Sequence, residues 1–187
     1  IPESVTDIGK YAFYRCSMLT SVTIPTGVTS IAEHTFTECR ELVSASIPEG
    51  VTNVGCGAFS DCIGLTSITI PKSVKRIEQS AFASCRGLTS LTIRAGVTHI
   101  GNSAFSGCRG LMALEIPPSV IDIENAAFRD CYDLASVSIP EGVMSIGLHA
   151  FLLSDLTSVS IPASVTNIGT GAFGHCIKLA RINVDSA

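Results

Sequence analysis

Hydrophobic positions recur along the whole chain at one fixed spacing. The eight phenylalanines fall 23 residues apart, except that the last follows the seventh after 22. They are Phe13, Phe36, Phe59, Phe82, Phe105, Phe128, Phe151 and Phe173. A period of this length is typical of proteins made of stacked repeats, in which each unit packs mainly on its neighbours. The spacing therefore predicts a solenoid that works by presenting a surface.

Each unit contains two short patterns typical of extended segments. The unit can be written L-x-x-V-x-I-P-x-x-V-x-x-I-G-x-x-A-F-x-x-C-x-x, and its leading leucine occurs eight times, first at Leu19. Residues 65–70 end in an alternating pattern rich in β-branched side chains, which predicts a strand ended by Pro71, a residue with no N–H to donate. A second extended piece is predicted at 74–77, and a single 3₁₀-like turn at 81–85, because that segment is too short for a stable α-helix. Strands of successive units should pair in parallel as one eight-stranded sheet.

The apolar residues are spread through the repeat and do not form a membrane span. Hydrophobic residues make up 46% of the 187 residues and charged residues 15%. No apolar run approaches the roughly 18 residues that a spanning helix needs, so we expect no membrane insertion. The sequence opens in mid-repeat with Ile1-Pro2. We therefore expect residues 1–187 to form a single repeat domain taken from a longer protein.

Seven of the eight cysteines occupy one repeat position, three residues after phenylalanine. They are Cys16, Cys39, Cys62, Cys85, Cys108, Cys131 and Cys176. Side chains that run parallel at this position predict an internal ladder of thiols, since buried cysteine behaves as a small hydrophobe. Partial oxidation and metal binding are the alternatives, although the chain lacks the C-x-x-C pair of a zinc site. Cys56 lies off the pattern between two glycines and is either a partly buried turn residue or an exposed thiol.

Residues that could support catalysis are scattered. The four histidines fall in different units, and His34 and His149, which share a repeat position, lie five units apart. No serine stands in a G-x-S-x-G turn. The two Gly-x-Gly pairs lack the further glycine of a phosphate-binding loop. We therefore expect no catalytic residue, no cofactor and no metal site, and hence no enzyme activity.

Serine and threonine recur at strand positions that point away from the core. By alternation, the residues two and four after the leading leucine should face solvent. The candidate binding residues on this face are Ser67, Thr69, Ser90, Thr92, Ser136 and Ser138. Two interpretations are open: an ordinary solvent-facing strand surface, or a hydrogen-bonding surface for an extended peptide, a glycan or a protein. Regular Thr-x-Thr ladders also suit ice, but the mixed use of serine and threonine disfavours that third interpretation.

Two local exceptions to the repeat are further candidate binding residues. Glu115 places a charge within the hydroxyl pattern, and Met112 offers a soft apolar contact beside it. Exceptions in a consistent pattern are places where function can override the repeat. Neutral drift within the repeat explains them equally well.

Charge is uneven along the chain, although the formal net charge is only −4. Residues 72–109 carry six basic residues against one acid, whereas residues 115–155 carry seven acids against one base. A basic middle beside an acidic C-terminal third is therefore predicted. Arg86 and Arg109 share a repeat position in adjacent units and could attract an acidic protein or a sulfated glycan. The lack of interleaved aromatic residues argues against nucleic acid.

The pattern of leucine, valine, Ile-Pro, Ile-Gly, Ala-Phe and cysteine closely resembles the BspA-like, or treponemal, class of leucine-rich repeats over essentially all of residues 1–187. The resemblance implies a leucine-rich-repeat solenoid of the right-handed α/β-horseshoe class, rich in β-structure. One parallel strand per repeat and few or no regular α-helices are then expected. It also implies a secreted or cell-surface protein that adheres to host matrix proteins or to other cells. The class has no catalytic motif to carry over.

These observations together predict a non-enzymatic module that binds a protein or glycan ligand at the cell surface, with extracellular matrix among the candidate partners. The alternative is a structural spacer or a stalk that associates with itself end to end. A third class, the recognition domain of an enzyme, would need a catalytic segment outside these residues.

Overall fold

The computed structural model describes residues 1–184 as a stack of short parallel strands and turns around one apolar core. Its strands are β1 (Ser21–Thr23), β2 (Ser30–Ile31), β3 (Ser44–Ser46), β4 (Asn53–Val54), β5 (Ser67–Ile70), β6 (Arg76–Ile77), β7 (Ser90–Ile93), β8 (His99–Ile100), β9 (Ala113–Glu115), β10 (Asp122–Ile123), β11 (Ser136–Ser138), β12 (Ser145–Ile146), β13 (Ser158–Ile161), β14 (Asn167–Ile168) and β15 (Arg181–Val184). The described residues contain no helix. The predicted β-rich solenoid with a parallel strand in each repeat is therefore confirmed.

Each complete unit has three sides that continue from one unit to the next. The odd-numbered strands form one side, which we call the odd-strand face. The even-numbered strands β2 to β14 form the second side, a continuous parallel sheet of seven strands. The third side is a run of turns that contains the phenylalanine and ends at the cysteine, and we call it the turn side.

The turn side carries a hydrogen-bond ladder that the sequence did not predict. In one unit, the backbone N–H groups of Ser80, Phe82 and Ser84 donate to carbonyls of the next unit at 2.7–2.8 Å. The intervening N–H groups of Ala81 and Ala83 donate to the carbonyls three residues earlier, at 3.2 and 3.1 Å, and so close four-residue turns. Ser80 and Ser84 have positive φ values of 55° and 59°. The segment thus keeps the short turns expected at 81–85 but departs from 3₁₀ geometry, because the left-handed residues redirect every second N–H towards the neighbouring unit.

The phenylalanine rings form one continuous stack through the core. Neighbouring ring centroids lie 5.1–5.5 Å apart, with interplanar angles of at most 14°. The six inner rings are fully buried, and Phe13 and Phe173 at the two ends are partly exposed. Since aromatic rings favour offset stacking at such separations, the stack adds to the burial of apolar area.

The cysteines form the predicted internal ladder of thiols. All eight cysteines are free, and six of the seven repeat cysteines are buried, whereas Cys16 is exposed. Each buried thiol donates a hydrogen bond of 3.1–3.4 Å to the carbonyl oxygen of the phenylalanine in the preceding unit. Burial raises the pKa of Cys39 to about 11 and that of Cys131 to about 12. Cys56 is partly buried in a turn, which settles the two alternatives for that residue.

The irregular seventh unit keeps the core intact. Ser154 takes the cysteine position and is buried, with its hydroxyl 3.1 Å from the Cys176 sulfur. One residue is missing from the repeat between Ser154 and Leu156. The rings of Phe151 and Phe173 on either side of this deletion still stack at 5.4 Å and 3°. The turn absorbs the deletion, and the register of the core does not change.

The prediction of one eight-stranded sheet on the odd-strand face is wrong. The eight odd-numbered strands instead form a sheet of four, β1-β3-β5-β7, followed by the pairs β9-β11 and β13-β15. Proline explains part of the shortening, because it follows most of these strands and cannot donate to the next ladder bond. Where Arg94 replaces proline, its N–H donates to the carbonyl of Ile70 at 3.0 Å, and β5 pairs with β7 over four residues.

Replacing a central ring should destabilise the whole stack. We expect Phe82→Ala to lower the free energy of unfolding by about 3–5 kcal/mol, because a fully buried ring with neighbours on both sides leaves a cavity. Phe173→Ala, at the partly exposed end of the stack, is the matched control and should cost less. Urea unfolding of both variants measures the difference. Equal losses would contradict the proposed role of the inner rings.

The buried thiols should make stability fall in alkali. A thiol whose folded pKa is raised stabilises the fold fully below its unfolded pKa of about 8.5, and this stabilisation is lost as the pH rises towards the folded pKa. For Cys131 the window ends at about 12. Within it, Cys131→Ala should reduce the pH slope of the unfolding free energy by about 1.4 kcal/mol per pH unit. Cys16→Ala, at the same repeat position but exposed, controls for the loss of a thiol; an equal change of slope in both variants would refute the assignment to burial.

Candidate ligand-binding face

The odd-strand face brings the predicted hydroxyl residues of β5 and β7 together. Ser67 pairs in register with Ser90, and Thr69 pairs with Thr92. All four side chains are exposed, while the residues between them point to the core. The sequence prediction of a neutral, hydroxyl-lined surface is confirmed in its placement at these four positions.

The predicted residues of β9 and β11 form a second, separate group on the same face. Ser136 lies opposite Ala113, and Ser138 lies opposite Glu115. These strand positions are exposed. Glu115 therefore introduces one carboxylate into an otherwise neutral pair of strands, as the sequence predicted.

The two candidate arginines and Met112 lie near the edge between the turn side and the odd-strand face. The carbonyl of Arg86 accepts a hydrogen bond of 3.2 Å from Gly110 N–H, so Arg86 and Arg109 stand in adjacent units as predicted. The Arg109 guanidinium lies 5.1 Å from the ring centroid of Tyr132 in the next unit. Met112 is 62% exposed. Sequence reasoning missed Tyr132, although it has the same repeat position as the two arginines.

The basic segment does not form a single patch. Arg76 lies on the even-strand sheet, 3.4 Å from both Glu78 and Glu124. Arg94 follows β7 and lies 3.4 Å from Glu49. Because the repeat sends successive residues to different sides of the solenoid, charges close in sequence are distributed around it. The predicted basic middle is therefore divided among several edges, and part of its charge is paired.

The odd-strand face opens at intervals along the stack. Between β3 and β5 only Ser44 and Ser67 are paired, and the strands separate beyond them. Within residues 1–184, no strand pairing joins β7 to β9 or β11 to β13. The openings recur every second unit, so tightly paired strands alternate with separated ones.

The first cleft lies at the opening between β3 and β5 and has a volume of about 340 Å³. It is lined by Ser44, Ala45, Ser46, Ile47, Glu49, Ser67, Ile68, Thr69, Pro71 and Arg94. Hydroxyl groups and the Glu49–Arg94 ion pair therefore accompany an apolar lining. The small side chain of Ala45 contributes to the space, because other units have a larger apolar residue at this position.

The second cleft lies at the opening between β7 and β9 and has a volume of about 300 Å³. It is lined by Leu91, Thr92, Ile93, Ala95, Glu115, Pro117 and Pro118. Glu115 is its single charged lining residue. The exception that the sequence singled out therefore lines a cleft, together with one of the predicted threonines.

The residue two positions after the proline position differs on the two sides of each opening. It is glycine in the unit before the opening and serine in the unit after it. The pairs are Gly50 and Ser73, Gly96 and Ser119, and Gly142 and Ser164. Ser119 Oγ accepts a hydrogen bond of 2.9 Å from Gly96 N–H and donates one of 2.7 Å to the Val97 carbonyl. Ser164 makes the same two contacts with the unit before it. Ser73 Oγ is buried and has no partner among the described residues.

Gly96 lies so close to the preceding unit that no other residue fits there. Its φ is +155°, and a Cβ there would overlap the carbonyl oxygen of Lys72 in the preceding unit. Gly96 thus packs tightly on the unit before it, while Ser119 joins it to the unit after it across the opening. A side chain at this position would push apart the pair β5 and β7.

Neither a metal cluster nor a membrane-spanning segment marks the described part of the chain. Residues 1–184 contain no group of three or more His, Cys, Asp or Glu side chains close enough to hold a metal ion. The same range has no helix with the length and apolar character to cross a membrane.

The two hydrogen bonds of Ser119 across the opening predict that the same substitution has different effects on stability at two equivalent serines. Ser119→Ala should lower the free energy of unfolding by about 1–3 kcal/mol, since Gly96 N–H and the Val97 carbonyl lose their partner. Ser73→Ala, at the same repeat position, removes an unpartnered hydroxyl and should leave stability unchanged or slightly higher. Chemical unfolding of both variants checks the pair. A larger loss for Ser73→Ala would contradict the bridge.

Comparisons with known proteins agree with this geometry. Six copies of the BspA type leucine-rich repeat region match the sequence, in two overlapping spans of residues 1–112 and 76–187. No curated protein is significantly similar to the chain. The solved structure of a leucine-rich repeat protein from Bacteroides ovatus is similar with a TM-score of 0.88 and 28% identity, over 100% of this chain and 54% of that one.

Two further solved structures are also similar. A leucine-rich cell surface protein from Faecalibacterium prausnitzii matches with a TM-score of 0.81 and 32% identity, over 90% of this chain and 48% of that one. The T. pallidum leucine-rich repeat protein matches with a TM-score of 0.77 and 29% identity, over 91% and 81% of the two chains. The chain thus spans about half the length of the first two relatives. By its repeats and by the family match along its whole length, the chain belongs to the BspA-type leucine-rich repeat family.

Proposed function

We propose that the chain is the ligand-binding part of a cell-surface protein and acts as an adhesion module for protein or glycan ligands. The observation that carries this proposal is the exposed hydroxyl ladder on the odd-strand face, where Ser67, Thr69, Ser90 and Thr92 stand in register. Family membership supports it, and one relative is described as a cell surface protein. The match covers about half of that relative, so the activity of the whole protein is also a proposal.

The odd-strand face suits recognition because its side chains are held on a rigid frame. Backbone ladders and the buried phenylalanine stack fix the strands that carry the hydroxyls. Hydroxyl groups both donate and accept hydrogen bonds and lose little side-chain entropy when a ligand binds. An extended peptide or a glycan chain could therefore lie across several units and bond to each in turn.

The edge with Arg86, Arg109 and Tyr132 offers a different kind of contact. Arg109 stacks over Tyr132, which holds one guanidinium in place. Guanidinium groups recognise carboxylates and sulfates through paired hydrogen bonds. This edge would therefore attract acidic proteins or sulfated glycans, and its contribution should weaken with salt.

We also propose that the chain works without catalysis. His34 and His149 occupy equivalent positions five units apart, so they cannot act on one substrate. Each buried thiol is held in a hydrogen bond to a backbone carbonyl within the core, away from any ligand. A catalytic partner, if the whole protein has one, would lie outside these residues.

A structural spacer or self-associating stalk is the second candidate. The observation that favours it is the continuous stack of similar units, whose phenylalanine rings keep nearly the same separation from Phe13 to Phe173. A stack of this kind can be extended by further like units. If this candidate is correct, sedimentation experiments should show association that depends on protein concentration.

Binding to a defined panel tests the adhesion proposal. The wild-type chain should bind saturably to at least one member of a set of matrix proteins, neutral glycans and sulfated glycans, measured at low and at physiological salt. If the arginine edge contributes, the double variant Arg86→Ala/Arg109→Ala should lose affinity for sulfated glycans several-fold at low salt.

A matched double variant separates specific contacts from net charge. Lys72→Ala/Lys75→Ala removes the same charge from a different edge of the solenoid and should not change the affinity. Equal losses of affinity in both double variants would mean that the arginines act only through the net charge of the protein and make no specific contact. A folded monomer that binds no member of the panel would contradict the adhesion proposal and favour the spacer.

A further inference from the structure

The opening between β7 and β9 leaves a backbone donor without a partner among the described residues. In six other units, the N–H of the residue after the leading leucine donates to the preceding unit at 2.8–3.3 Å. Met112 N–H makes no such bond among the described residues, and no strand pairing joins β7 to β9. Backbone donors and acceptors on the two sides of an opening need partners that can both donate and accept. Hydroxyl groups and water have this property, whereas charged side chains do not.

The second cleft adds a carboxylate that favours hydroxyl donors. Glu115 lines this cleft and has no ion-pair partner within residues 1–184. A carboxylate accepts several hydrogen bonds, and those from hydroxyl groups are short and strong. The same charge repels sulfate and carboxylate groups. The cleft therefore favours a ligand rich in hydroxyls and without negative charge.

The apolar lining of the second cleft complements this carboxylate. Leu91, Ile93, Pro117 and Pro118 provide aliphatic surface beside Glu115. A sugar ring presents C–H groups on its faces and hydroxyls around its rim. A volume of about 300 Å³ lies at the lower end of the range of small-ligand sites, which suits a single sugar residue.

The first cleft repeats these features two units away on the same face. It combines hydroxyl groups, an aliphatic lining and the Glu49–Arg94 ion pair. The guanidinium of this pair can donate two parallel hydrogen bonds to a ligand, and the carboxylate can accept two. Two strand spacings separate the openings by about 9.5 Å. The exposed ladder of Ser67, Thr69, Ser90 and Thr92 lies between them. A linear chain of sugars could occupy both clefts while its hydroxyls bond to that ladder.

We propose that the odd-strand face binds a linear neutral glycan, with one sugar residue in each cleft and Glu115 as the acceptor for sugar hydroxyls in the second. This inference rests on the proposed binding function and specifies its ligand and its site. It separates the neutral glycan from any sulfated ligand, which would use the edge of Arg86 and Arg109, residues that line neither cleft.

Calorimetric titration with defined oligosaccharides tests the proposal. Neutral tetrasaccharides of the cello-, chito-, manno- and malto- series serve as probes, and a heparin oligosaccharide serves as the sulfated comparator. At least one neutral series should bind with an affinity that is independent of salt, since no charge on the ligand is involved. Glu115→Gln should weaken this binding about ten-fold or more, because it removes a charged acceptor. Glu41→Gln makes the same change on an exposed turn and should have no effect.

A second variant blocks the first cleft without harming the fold. Other units have valine, leucine or isoleucine at the position of Ala45, so Ala45→Ile should fold and fill space in that cleft. The monosaccharide of the series that binds serves as a further probe. We expect Ala45→Ile to weaken binding of the tetrasaccharide more than binding of this monosaccharide, which can still use the second cleft. Val22→Ile, the same type of change in β1, should have no effect on binding. Thermal unfolding confirms that each variant is folded before it is titrated.

The outcomes distinguish this inference from the broader proposal. The inference is overturned if neutral oligosaccharides do not bind a folded wild-type chain. It is also overturned if they bind the Glu115→Gln and Ala45→Ile variants as tightly as they bind the wild type. Binding of heparin or of a matrix protein alone, unaffected by these two changes, would also overturn it and would leave the adhesion function intact. Failure of every ligand, charged or neutral, would remove both.

Discussion

The fold depends on an exact register between neighbouring units, set where each phenylalanine ring meets the ring of the unit before it. Ring centroids stay 5.1–5.5 Å apart from Phe13 to Phe173. A single unit is too short to bury its own apolar residues, so neighbours must supply the other wall of each ring. The backbone ladders of the even-strand sheet and of the turn side can form only in this register. The thiol-to-carbonyl bonds depend on it as well, since each joins a cysteine to the phenylalanine of the preceding unit.

This register also explains which positions are free to carry function. Inward positions are fixed by the stack, and even the one-residue deletion before Leu156 is absorbed in a turn. Side chains at outward positions on the odd strands do not pack in the core, so they can vary without loss of the fold. The hydroxyl ladder, Glu115 and the arginine edge all lie at outward positions. A binding function built from them needs no change in the core, which fits a repeat family found in different bacterial proteins.

The alternation of tight and open strand pairs gives the solenoid a period of two units. Glycine at one position lets a unit approach the one before it, and serine in the next unit bridges to it by hydrogen bonds. The openings form clefts because the strands on their two sides separate, with Ala45 small in the first cleft and proline lining both. A regular 23-residue sequence thus produces openings once in every two repeats, and the proposed glycan would contact the clefts at two of them.

The sequence alone determined the repeat, the buried phenylalanines and thiols, the strand positions and the outward hydroxyls. These follow from periodicity, because every residue at one repeat position meets the same environment and the pattern is read eight times. Only the tertiary structure decided which strands pair, where the face opens and which charges meet. Ser73, Ser119 and Ser164 share a position, yet two of them bridge an opening and one has no partner. Arg94 and Glu49 lie two units apart and form an ion pair that no local pattern indicates. Such contacts depend on small differences in backbone geometry between units, and these arise only when all units are packed together.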